Sequence, residues 1–83
     1  MIRVVVVDDH PVVRDGVVAT ISSAPDLEVV GQAANGPGAV RVTAAAEPDV
    51  VVIDLRMPGG GGVEAVREMK ARGLKASVLV LKI

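Results

Sequence analysis

The sequence predicts an α/β fold, a parallel sheet with helices on both faces. Its apolar runs are short, rich in Val and Ile, and unalternating, as in strands buried on both sides. Stretches of helical length and amphipathic spacing separate them, so strand and helix alternate along the chain. Two of the runs, "RVVVVDDHP" and "DVVVIDLRMP", also match each other: an apolar strand, carboxylates at its end, then a proline.

Each element can be justified in order. Met1 to Val7 is a continuous run suited to a central strand, and it ends on Asp8-Asp9. In "HPVVRDGVVATISSA", Pro11 stands where a first helical position tolerates it. Val13, Val17 and Ile21 then recur four apart, with Val12 and Val18 widening the stripe. "LEVVGQA", Leu27 to Ala33, reads as a second strand. In "NGPGAVRVTAAAE", Asn35 offers a cap for a helix that stops ahead of Pro48. Val50 to Ile53 is a third strand ending on Asp54. After a run of glycines, "VEAVREMKARG" predicts a helix with Val63, Val66 and Met69 or the Lys70 stem on its inner side, and Gly73 as its stop. Glu68 and Arg72 are spaced i,i+4, and with Glu64 and Arg67 they make a charged outer face. Ser77 to Leu81 is the last strand.

The composition narrows the functions. A chain of 83 residues suffices for one small domain, and with no Phe, Tyr or Trp its core must be packed from aliphatic side chains. Nine basic residues against ten acidic ones give no footprint for nucleic acid and no polybasic patch for a membrane. The absence of Cys removes disulfides and thiolate sites. No secretory leader and no apolar run of spanning length is visible, so a soluble, cytoplasmic protein is expected.

The chemistry is expected at the strand ends. If the first and third strands are parallel neighbours, about 4.8 Å apart, Asp8, Asp9 and Asp54 meet in one crevice. Open α/β sheets bind ligands at that edge. Three clustered carboxylates repel one another and call for a counter-charge, and an all-oxygen, partly open site suits Mg²⁺. A lone His and no Cys argue against zinc. A carboxylate beside such an ion can act as a nucleophile toward phosphorus.

"VVVVDDHPVVRDG", "PDLEVVGQAANG", "PDVVVIDLRMPG" and "GVEAVREMK", in this order and spacing, resemble the receiver domain of bacterial two-component response regulators. The resemblance runs from Ile2 to Leu81 and is nearest to the subfamily with a C-terminal helix-turn-helix output domain. It implies a flavodoxin-like, doubly wound parallel sheet. It also implies that Asp54 is the phosphoacceptor, that Asp9 ligates Mg²⁺ directly, and that Asp8 acts mainly through a water. The backbone carbonyl of Arg56 would complete the protein's share of the coordination. The implied donor is a phosphohistidine on a sensor histidine kinase.

The sequence also departs from the family. The family has five strands and five helices, so residues 1–83 read as a truncated receiver with four strands, in the order 2-1-3-4, and three helices. The lysine that the family places after its fifth strand is not present. Lys82 stands where the family has a switching Ser or Thr, and Gly60 and Gly61 stand where it has side chains. Truncation would leave the fourth strand as an apolar edge and uncover part of each sheet face. A homo-oligomer through that edge or those faces, or else a poorly stable monomer, is therefore expected.

Plainer readings stand beside these. Asp8-Asp9 alone would be a charge pair at a helix start, and Asp54 alone a turn residue. His10 is a cap or surface residue with no assigned role. "GPG" and "GGGG" are turns, lacking the rest of any nucleotide-binding fingerprint. Three functions follow: a phosphoacceptor receiver, a degenerate receiver serving as an interaction module without a phosphorylation switch, and an aspartate-nucleophile phosphatase. The phosphatase is the weakest, because it needs an acid where Arg56 stands. The chain is expected not to be an enzyme.

Overall fold

A computed structural model of the chain describes residues 1–57 and 61–81. The elements are β1 (Ile2–Val7), α1 (Pro11–Ser22), β2 (Leu27–Ala33), α2 (Gly36–Ala46), β3 (Val50–Ile53), α3 (Gly62–Ala71) and β4 (Ser77–Val80). The four strands form one sheet in the order β2-β1-β3-β4, and every pairing is parallel. This is the expected doubly wound arrangement, with each helix serving as a crossover between parallel strands. β4 is one residue shorter than the sequence suggests, although the Leu81 N–H still donates to the Ile53 carbonyl.

The strand periodicity divides the core in two. Val5, Val7, Val51 and Ile53 are fully buried on one face, where Ala39 and Val40 of α2 and Ala65 and Met69 of α3 meet them. Each such aliphatic burial contributes roughly 1.5–3 kcal/mol. Val4, Val6 and Val52 point to the other face, which α1 covers with Val17, Val18 and Ile21. A chain without aromatic residues can stabilise this sheet only because its central strands use both faces.

The helices show where sequence periodicity misled. The α1 stripe of Val13, Val17 and Ile21 faces inward, but Val12 is 84% exposed and does not widen it. No residue of α1 is fully buried. In α3 the inner face is carried by Ala65 and Met69, with Val66 partly buried, whereas Val63 is 44% exposed. The small Ala65 lets the helix sit close to the sheet, and the β-branched residue at its start stays outside. On the outer face Arg72 Nη2 lies 2.7 Å from Glu68 Oε2, as the spacing predicts.

The turns are held by specific contacts. Asn35 Oδ1 accepts from the Gly38 N–H at 2.7 Å and caps α2. α2 ends at Glu47, which adopts the left-handed conformation at φ 47° before Pro48. At the lower end of the sheet, Asp49 Oδ2 accepts from the Arg3 N–H at 2.8 Å and ties β1 to the start of β3.

Candidate functional site: the carboxyl ends of β1 and β3

Register brings the predicted carboxylates to one edge. Val7 pairs with Ile53, so Asp8 and Asp54 are the next residues out of adjacent parallel strands. Their main chains continue the ladders: the Asp54 N–H donates to the Val7 carbonyl at 3.2 Å, and the Asp8 N–H donates to that of Ala33 at 3.1 Å. Asp8 is 1% exposed and Asp54 5%, whereas Asp9 is half-buried. Buried carboxylates are costly without compensation, and strand ends of purely structural purpose have no reason to bear that cost.

Each carboxylate has its own partners. Asp8 Oδ1 accepts from the His10 N–H at 2.8 Å, a tight turn that leads the chain into α1. The other oxygen, Asp8 Oδ2, is buried and has no hydrogen-bond partner. Asp54 Oδ1 accepts from the Arg56 N–H at 2.9 Å, and the Arg56 Nε lies 3.9 Å from the same oxygen. Buried Met57 anchors the far side of this turn. Asp9 Oδ1 lies 2.8 Å from His10 Nδ1, and it is satisfied only when that nitrogen carries the proton.

The grouping differs in part from expectation. Among the described residues, the side chains whose ligand atoms lie mutually within 4.8 Å are Asp8, Asp9 and His10. Asp54 is at the same strand edge but outside that group, and His10, given no role by the sequence, is inside it. Arg14 was also missed: its Nη1 donates to the Asp8 carbonyl at 2.9 Å. The available signal was its place in the first turn of α1, from which a long side chain points back toward the helix start. Arg56 is placed by its main-chain bond to Asp54. Lys82, Pro58, Gly59 and Gly60 lie outside the described residues.

The residues present fit a divalent cation. The donors are carboxylate oxygens at a half-open edge, and the orphaned Asp8 Oδ2 is a buried oxygen that a cation would satisfy. The glycines shape the approach. Gly61 has φ 68°, a left-handed conformation that costs a residue with a Cβ, and it precedes the first turn of α3. A Cβ on Gly62 would lie 3.2 Å from Leu55 Cα and 3.4 Å from the Asp54 carbonyl oxygen, tight contacts that glycine avoids where α3 starts close to the site.

Comparison with known proteins identifies the family and agrees with the fold. The family model described as response regulator receiver domain matches residues 4–82. The nitrate/nitrite response regulator protein NarL of Escherichia coli K12 is 36% identical over 80 residues, which are 96% of this chain and 37% of that protein. The chain therefore spans little more than a third of this relative's length. The signal receiver domain of the response regulator NarL from Mycobacterium tuberculosis superposes with TM-score 0.89 at 40% identity, covering 95% of this chain and 64% of that one. A complex of the P1 domain of CheA3 with CheY6 from R. sphaeroides also matches, with TM-score 0.81 and 34% identity over 95% of this chain and 61% of the matched one. With a family model that matches nearly the whole chain and solved structures that share its fold at 34–40% identity, the chain belongs to the response regulator receiver domain family.

Proposed function

We propose that this chain is a phosphoacceptor of two-component signalling, taking a phosphoryl group from the phosphohistidine of a sensor histidine kinase onto Asp54. The observation that carries the reading is the burial of Asp54 at the end of β3, in register beside Asp8 at the end of β1. Mg²⁺ would be held by Asp8, Asp9, Asp54 and the backbone carbonyl of Arg56, and when bound it supplies charge neutralisation at the transferring group. The chain's own part is nucleophilic. An Asp54 carboxylate oxygen attacks phosphorus, the P–N bond breaks, and the departing imidazole keeps the electron pair and takes up a proton. The Arg56 N–H bond to Oδ1 fixes the carboxylate's orientation for that attack. The CheA3–CheY6 complex supports a kinase domain as partner, and this reading gives the chain a cytoplasmic place and no enzyme activity of its own.

The test is incubation with acetyl phosphate and Mg²⁺ followed by intact mass, beside an Asp54→Asn variant. One phosphoryl group on the parent and none on the variant is the expected result. An unmodified parent protein removes the phosphoacceptor reading and leaves the interaction module.

A second surface favours association of copies. β4 is a sheet edge, with Leu79 56% and Val80 41% exposed. Beside it runs an apolar groove of about 510 Å³ lined by Val13, Val17, Ile21, Val52, Leu79 and Leu81. We infer homo-oligomerisation through this edge and groove, independent of phosphorylation.

A further inference from the structure

We propose that His10 is a further side-chain ligand in the acidic site, beside Asp8 and Asp9, so that the site holds nitrogen-accepting divalent transition ions by a bond that Mg²⁺ does not use. The inference rests on reading the acidic edge as a cation site and extends it to which ions it prefers. His10 Nδ1 lies 2.8 Å from Asp9 Oδ1 and 3.4 Å from Asp8 Oδ1. Adjacent donors of an octahedral ion with bonds of about 2.1 Å stand about 3.0 Å apart, so the two separations bracket the edge of such a polyhedron. Buried Asp8 contributes a second, independent sign of a missing ligand, since its Oδ2 has no hydrogen-bond partner.

The local backbone explains why the ring is there. The bond from the His10 N–H to Asp8 Oδ1 folds the chain back on itself at the entrance to α1. His10 is the residue before the first helical position, and its side chain makes no capping bond. The ring is therefore not committed to the helix, and at 64% exposure it lies open to an ion and its waters. Without an ion, the 2.8 Å separation from Asp9 suits an Nδ1–H donor. On binding, the neutral ring changes tautomer: the Nδ1 proton goes to solvent, Nε2 takes one up, and the Nδ1 lone pair becomes the ligand. Imidazole raises affinity for first-row transition ions above that for Mg²⁺, which favours oxygen.

The chain's single histidine makes the test direct. Untagged parent protein and a His10→Ala variant are titrated calorimetrically with Mn²⁺ and with Mg²⁺, and the Mn²⁺ samples are read by pulsed EPR for coupling to ¹⁴N. The parent should show imidazole coupling that the variant lacks, and the variant's Mn²⁺ Kd should rise about tenfold. Its Mg²⁺ Kd should change by less than about twofold, since that ion keeps to the oxygens. No imidazole coupling in the parent, or unchanged Mn²⁺ affinity in the variant, overturns the proposal. The phosphoryl adduct on Asp54 with Mg²⁺ is measured separately, so failure of the His10 ligand and failure of the phosphoacceptor reading are distinct results.

Discussion

Asp8 carries a local conflict: a carboxylate almost wholly removed from water with one oxygen unpartnered. A cation relieves it, so Mg²⁺ should raise the melting temperature of the parent. At ten times Kd the linkage stabilises the fold by about 1.4 kcal/mol. Asp9→Asn should lose most of that increment, and calorimetry with and without Mg²⁺ measures it; equal stabilisation of parent and variant contradicts the assignment. At this scale the sequence was informative about Asp8, Asp9 and Asp54, because carboxylates ending apolar runs are conspicuous. It gave His10 no role and did not single out Arg14, because their positions depend on the turn made by the Asp8 side chain and on the direction in which α1 leaves it.

Among the elements, the strands were legible and the helix faces only partly so. A β-branched run such as Val50 to Ile53 has one physical interpretation when both of its faces are covered. A helix face depends on phase, and in α3 the packing is set by Ala65 and Met69 while the larger Val63 stays outside. Met69→Ala should therefore cost about 2–4 kcal/mol in urea unfolding, whereas Val63→Ala should cost under about 1 kcal/mol. Similar losses at the two positions would mean that α3 is turned the other way. Gly62→Ala should cost about 1–3 kcal/mol, because the added methyl meets the Leu55 and Asp54 backbone as well as the Leu55 side chain.

For the whole molecule, the sheet is unequally covered. Among the described residues, α2 and α3 pack on one face and α1 on the other, and the groove beside β4 is lined by apolar side chains. Sedimentation should show concentration-dependent association of the parent, and Leu79→Lys should shift it toward the monomer. A folded parent that stays monomeric at high concentration contradicts the edge-and-groove interface. Two matching strands ending on carboxylates suggested that β1 and β3 are neighbours, and the full order followed from the resemblance.

The central claim is that the Asp54 carboxylate itself accepts the phosphoryl group, and trapping the bond tests it most directly. An acyl phosphate reacts with hydroxylamine to release phosphate and leave a hydroxamate on the carbonyl that carried it. After phosphorylation with Mg²⁺ and acetyl phosphate, peptide mass mapping should find the hydroxamate at Asp54 and at no other carboxylate. A hydroxamate at Asp8 or Asp9 instead, or none on a protein that acquired phosphate, would contradict the account.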